Sequence, residues 1–123
     1  MLNSRQRLGK KGEEKATKYL RAKGYSILHK NYRCKIGEID IIAQDGPVLV
    51  FIEVKTRSGL LFGTPAAAVT LKKQRQISRT AQYYLAELSI FDSPARFDVV
   101  SVLSGDSGND RIDHIKDAFE LCA

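Results

Sequence analysis

GEIDIIAQDGPVLVFIEVKTR, Gly37 to Arg57, decides the fold. Two apolar runs flank Asp45-Gly46-Pro47: Asp-Gly is a hairpin dipeptide and Pro ends a strand. The flanks are rich in Ile, Val and Phe, which suit strands. The stretch predicts a hairpin with strands over Gly37–Ala43 and Val48–Thr56. Side chains alternate along a strand, so both faces can be written out. Ile39, Ile41, Ala43, Val48, Val50, Ile52 and Val54 make one wholly aliphatic face. The other carries Glu38, Asp40 and Ile42, then Leu49, Phe51, Glu53, Lys55 and Arg57, apolar near the turn and charged at the far end. A two- or four-residue loop sets Asp40 opposite or diagonal to Glu53 on one face, whereas a three-residue loop parts them.

On the favoured register Asp40, Glu53 and Lys55 converge at one end of a sheet that is otherwise buried. A charge removed from water has to be paired, bound to a metal or neutralised. Two adjacent carboxylates repel, and one pKa rises unless a cation sits between them. Oxygen ligands of this kind suit Mg²⁺ or Mn²⁺, which keeps several waters and takes one or two carboxylates plus a phosphate. A neighbouring Lys can orient a metal-bound water or offset charge developing on phosphate. The plainer reading is a salt-bridge set between Glu53 and Lys55 at a strand end. Spacing alone leaves both open.

Asp40, followed after twelve residues by Glu53-Val54-Lys55, resembles the D-x(n)-E-x-K signature of restriction-endonuclease-like nucleases. The wider pattern is similar to the YraN-like bacterial family, distant relatives of archaeal Holliday-junction resolvases. It is carried by Gly12-Glu13, Gly37-Glu38-Ile39-Asp40, Phe51 to Arg57 (FIEVKTR), Phe62-Gly63, Ala68-Val69 and Arg96 to Val100 (RFDVV). It covers nearly the whole chain, from about Leu8 to Phe119. The resemblance implies a restriction-endonuclease-like α/β fold with a mixed central sheet flanked by helices. It implies a Mg²⁺- or Mn²⁺-dependent endonuclease acting on DNA, branched DNA included, with Asp40, Glu53 and Glu13 as metal ligands and Lys55 as their catalytic companion. Resolvase relatives work as dimers, so a homodimer is compatible with it. The competing reading is a nucleic-acid-binding module of the same fold that does not cut. A carboxylate-pair glycosidase fits poorly, because Trp is absent and a Lys stands beside the second acid.

The 123 residues are read as one domain, with a formal net charge of +6 and pI about 9.4. That balance favours a polyanionic partner without choosing between DNA, RNA and an anionic membrane. Cys34 and Cys122 lack zinc-site spacing and read as free thiols. The N-terminal stretch has no apolar signal region, and no run approaches 18 apolar residues. A cytoplasmic protein that does not enter the membrane is expected.

Arg7–Lys23 reads as the first helix, stopped by Gly24. Helical spacing puts Ala16, Tyr19 and Leu20 in an arc ending beside Glu13, while Glu14 falls on the solvated face with Thr17, Lys18 and Arg21. Ser26–His29 reads as a strand leading into a basic loop, where Arg33 and Lys35 are placed to meet phosphate. Ser58–Gly63 reads as a loop beside the charged strand end, and Thr64-Pro65 as a helix cap. Leu71–Leu88 is the clearest helix, with Gln74, Ile77, Ser78, Ala81, Tyr84, Leu85 and Leu88 on one face. Lys72, Arg75 and Arg79 stripe another face with Lys73 nearby, and with Arg57 they are candidate phosphate contacts. Gln82 and Glu38 are spare site candidates. Ala95–Leu103 reads as a strand whose Asp98 is assigned a structural role, Ser104–Asp110 as an exposed turn, Arg111–Ile115 as a short edge strand and Lys116–Leu121 as a final turn. His29 and His114 read as structural.

Overall fold

A computed structural model describes residues 3–58, 69–90, 92–104 and 110–122. The elements run α1 (Ser4–Ala22), β1 (Ser26–Arg33), β2 (Glu38–Asp45), β3 (Val48–Ser58), α2 (Leu71–Glu87), β4 (Ala95–Ser104) and β5 (Arg111–Phe119). The five strands form one sheet in chain order. All neighbours are antiparallel except β3 and β4, which are parallel and joined through α2. The expected α/β class and mixed sheet are present, and the arrangement is consistent with a restriction-endonuclease-like fold. No helix among the described residues is long and apolar enough to cross a membrane. Ser58, expected to open a loop, instead ends β3; the rest of the loop expected over Ser58–Gly63, the cap at Thr64-Pro65 and most of the Ser104–Asp110 turn lie outside the described residues.

The helices cover opposite faces of the sheet. Ala16 and Leu20 of α1 pack on Ile41, Ala43, Val50, Ile52, Val100 and Val102. Ile77, Ala81 and Tyr84 of α2 pack on Ile42, Leu49, Phe51, Phe97 and Val99. The central strands are therefore apolar on both sides, as a sheet buried between helices requires. Phe51 is 1% exposed and meets both Tyr84 and Phe97, so cutting it to Ala should cost about 3–5 kcal/mol.

α1 begins three residues before the expected Arg7. The Asn3 side chain accepts the Gln6 N–H while the Gln6 side chain accepts the Asn3 N–H, a reciprocal cap written in the sequence as Asn-x-x-Gln. Gly24, at φ 93°, ends it as expected. α2 starts where expected, with Thr70 accepting the Lys73 N–H. Leu88 lies beyond its last turn and is exposed, and the buried face includes Thr80 instead.

The hairpin turn is tighter than read. Asp45 pairs with Val48, leaving only Gly46 and Pro47 as the loop. Gly46 sits at φ 58°, the left-handed region that the first position of a II′ turn needs, and Pro follows it. β2 therefore runs two residues past Ala43. Two further expectations need correction. β1 continues through Arg33 with a bulge between Ile27 and His29. β5 extends to Phe119, with a register shift opposite Phe97/Val99 and Asp117 at φ 52°. Polar Lys116 and Asp117 read as a turn, but they form an irregularity inside a strand.

Candidate active site

The site lies where the sheet opens. The β2–β3 ladder runs from Asp45–Val48 to Ile41–Ile52. One step further, the Val54 N–H donates to Asp40 Oδ2 at 2.8 Å, so a side chain takes the donor a backbone carbonyl would have taken. From there β2 stays with β1 through Ile39 and Glu38, while β3 stays with β4 through Ser58. The two strands part, and Asp40 and Glu53 face the gap. Strict alternation fails at this point. Ile39, expected beside Ile41, joins Ile42 in the core beneath α2.

Both helices reach the opening by close approach. A Cβ on Gly12 would stand 2.7 Å from Thr56 Cγ2 and 2.8 Å from Thr56 Cβ, so only Gly lets α1 press on β3 there. A Cβ on Gly37 would come within 2.9 Å of Gln76 Cγ and Thr80 Oγ1, which seats the start of β2 against α2. Glu13 is half-buried and Glu14 exposed, as the helical wheel required. A cavity of about 340 Å³ results, lined by Leu8, Gly9, Glu13, Glu38, Asp40, Glu53, Val54, Thr56 and Lys73.

Glu53 is 6% exposed, with Lys55 Nζ at 3.7 Å and Lys73 Nζ at 4.0 Å from Oε1. These are ion-pair distances, too long for hydrogen bonds. Burial pushes the Glu53 carboxyl up. Lys73 and then Lys55 pull it back, and the charge of Glu38 adds to the rise. Asp40 is pushed up to about 7, by burial first and by the Glu53 charge second; the Val54 N–H and Lys73 oppose the shift and Glu13 adds to it. Two carboxyls thus share an opening whose partial burial discourages both from ionising. A hard divalent cation is the complement of such a pair, because it favours both charges and takes few protein ligands. The donor set therefore fits Mg²⁺ or Mn²⁺ on Asp40 and Glu53. Among the described residues no three His, Cys, Asp or Glu side chains gather into a ready-made cage. Glu13 shares the cavity and the electrostatics of Asp40 without completing one.

The other expected contacts fall in different places. Lys73, expected near the cationic stripe, stands with the carboxylates. The signal was present: Lys73 precedes the buried Ile77 by four residues and Thr80 by seven, on the inward face of α2. Lys72, Arg75 and Arg79 are exposed and, with Ile36 and Gln76, line a neighbouring cavity of about 390 Å³. Arg33 is exposed and donates to Glu38 at 3.0 Å. Arg57 is half-buried toward the end of β3. Gln82 is not in this group; it lines an apolar cavity of about 570 Å³ with Phe51, Leu85 and Phe97.

Asp98 belongs to a separate buried cluster, in keeping with the structural role expected of it. Arg96 Nε donates to it at 3.0 Å, His114 Nε2 lies 2.7 Å away and the Asp117 N–H donates at 3.0 Å. Burial raises the Asp98 carboxyl, but His114, Arg96 and that amide outweigh it and hold it below the usual carboxylate range. Arg96 also reaches Asp45 at the hairpin turn and the Tyr25 hydroxyl, tying the sheet together away from the opening.

Comparison with known proteins gives the family. The model described as "Uncharacterised protein family UPF0102" matches residues 12–102. This chain belongs to that family. It is similar to the UPF0102 protein of Geotalea uraniireducens (strain Rf4), 54% identical over 114 residues that cover 93% of this chain and 90% of that one. A UPF0102 protein of Symbiobacterium thermophilum is 52% identical over 113 residues (92% and 96%), and one of Rhodococcus opacus (strain B4) is 48% identical over 112 residues (91% and 95%). The YraN-like resemblance is borne out. The residues matched to the UPF0102 family include Glu13, Asp40, Glu53, Lys55 and Lys73.

Proposed function

We propose that this UPF0102 chain is a Mg²⁺- or Mn²⁺-dependent endonuclease that hydrolyses phosphodiester bonds in DNA. The observation that carries this reading is the meeting of two carboxyls, half-buried Asp40 and buried Glu53, in an opening of the sheet with two lysines within 4.0 Å of Glu53. When bound, a divalent cation lowers the pKa of a water and offsets charge on the scissile phosphate. Asp40 and Glu53 would hold it, and Glu13 of α1 lines the same cavity. Lys55 and Lys73 stand beside Glu53 in a partly buried site, where their ammonium groups favour the more negative transition state of phosphoryl transfer. Lys72, Arg75, Arg79, Arg33 and Arg57 hold backbone, which positions a substrate without reading its sequence. The net charge of +6 supports a polyanionic substrate.

One observation favours the second reading, a nucleic-acid-binding module that does not cut. Two lysines already flank Glu53, and such a set can be a self-sufficient ion-pair cluster. Cleavage of labelled duplex, single-stranded, flap and four-way-junction DNA with Mg²⁺ or Mn²⁺ separates the two. The endonuclease reading expects metal-dependent cutting that is lost in Glu53→Gln and Lys55→Ala. Binding without cutting, unchanged in both variants, would overturn it in favour of the module.

A further inference from the structure

The carboxylate cavity is the middle of a longer trough. On the α1 side it shares Gly9 and Glu13 with a cavity of about 620 Å³ that also meets Lys10, Asn31 and Arg33. On the α2 side it shares Glu38 and Lys73 with a cavity of about 470 Å³, which Arg33 lines as well. That one in turn shares Gln76 with the cavity of Lys72, Arg75 and Arg79. Four adjoining hollows therefore run from α1 across the mouth of the opened sheet to the outer face of α2. Lys10 stands at one end and Lys72, Arg75 and Arg79 at the other, and between them lie the carboxylates with Lys73 and Arg33 beside them.

The geometry points to a second backbone-binding arm for the same sugar–phosphate strand: Lys10 of α1, on the opposite side of the carboxylate cavity from Lys72, Arg75 and Arg79, with Arg33 of β1, which lines the hollows on both sides of that cavity. The inference rests on the nucleic-acid reading above and adds the path of the strand. Cations on one side only would hold a phosphate chain at a single end and let the reacting phosphate swing. Cations on both sides fix it, as a positioned reaction requires. The scale is suitable. Lys72 to Arg79 spans seven residues of helix, about 10 Å, or about three nucleotides at the duplex rise of about 3.4 Å per strand. Lys10 lies one helical turn before Glu13, about 4.5 Å along α1, so the first arm borders the carboxylates directly.

Arg33 is engaged by Glu38 at 3.0 Å, with its side chain 75% exposed. An exposed pair of this kind is weak. A phosphate can take the guanidinium from Glu38 and bind it in bidentate fashion. Glu38 therefore competes with the substrate for Arg33, and its charge also repels a strand in the trough.

The test is the salt dependence of binding to a fluorescein-labelled oligothymidylate in EDTA, where no cutting intervenes. Each lost phosphate contact flattens the log–log slope by about 0.7 on a single strand. Lys10→Ala with Arg33→Ala should flatten it by about 1.4, as should Arg75→Ala with Arg79→Ala, and the two pairs should add. Lys18→Ala, an exposed change on α1 outside the trough, should leave it unchanged. Glu38→Gln should tighten binding at low salt. All these residues are at least partly exposed, and matched melting curves check that each variant folds. A wild-type slope in Lys10→Ala/Arg33→Ala, beside a flattened one in the α2 pair, would overturn the second arm and leave the nucleic-acid reading standing. A wild type that shows no salt-dependent binding would overturn both.

Discussion

The carboxyl pair makes a prediction about stability that needs no substrate. Asp40 is raised from 3.8 to about 7 in the folded chain, chiefly by burial and then by the charge of Glu53. Between those values the folded state holds a proton that the unfolded state has released. The stability associated with that proton is complete below about pH 4, declines as pH rises and is gone above about 7. A shift of about 3 units, at about 1.4 kcal/mol each, amounts to about 4 kcal/mol. Asp40→Asn isolates the effect. Asn cannot ionise, and its side-chain oxygen can still accept the Val54 N–H. Urea unfolding of both proteins in EDTA, from pH 4 to pH 8, should show the variant gaining about 2–4 kcal/mol on the wild type. The gain should accumulate between pH 4 and 7. Saturating Mg²⁺ at pH 8 should restore the wild type and leave the variant little changed. A stability difference that stays flat across this range would refute the claim that the Asp40 carboxylate is strained, and with it the electrostatic case for a cation there.

Three further outcomes follow from the same geometry. In the wild type, Mg²⁺ at a hundred times its Kd should add about 2.7 kcal/mol, on the order of 10 °C in Tm, and Glu53→Gln should abolish the rise in a thermal melt. Gly12→Ala should destabilise by about 1–2 kcal/mol, because collision with Thr56 outweighs the helix propensity of Ala. Adding Thr56→Ala should recover part of that loss, and a stabilised single variant would show that α1 does not press on β3. Arg96→Ala removes a partner of the fully buried Asp98, and a urea titration at pH 7 should show a loss of about 3–5 kcal/mol. A loss under about 1 kcal/mol would mean that His114 and the Asp117 amide suffice.

Much of this arrangement is legible in the residues. Asp45-Gly46-Pro47 limits the loop, the loop limits the register, and the register decides whether Asp40 meets Glu53. The doubly apolar faces of β3 and β4 announce a sheet covered by helices on both sides. What was not legible depends on residues distant in the chain. Asp98 finds its partners in His114 on another strand and in the amide of Asp117, inside a strand irregularity that polar residues disguise as a turn. Alternation around Ile39 could not warn that β2 leaves β3, because the period of a strand carries no record of where its neighbour departs. Lys73 was grouped with the nearby cationic stripe by its charge, although helical phase separates it. Its spacing to Ile77 and Thr80 places it on the inward face, and there its ammonium meets Glu53.

The opening between β2 and β3 also explains why charged residues occupy a strand end that the core would fill with aliphatic ones. A ladder that stops early leaves a buried N–H, and an unsatisfied donor costs about 1–3 kcal/mol. Asp40 satisfies the Val54 donor with a carboxylate. An Asn would do this as well, without the repulsion from Glu53 and without the upward shift in pKa. The choice of Asp over Asn therefore works against the stability of the cation-free chain. Gly12 adds to this, since it gives up helix preference so that α1 can close on the opening, and Gly37, just before β2, leaves room for α2. Such concentrated local disadvantage is characteristic of places where a protein trades stability for function. A cation on Asp40 and Glu53 would convert the disadvantage into binding energy, so the proposed metal-dependent reading accounts for more of these residues than an ion-pair cluster does.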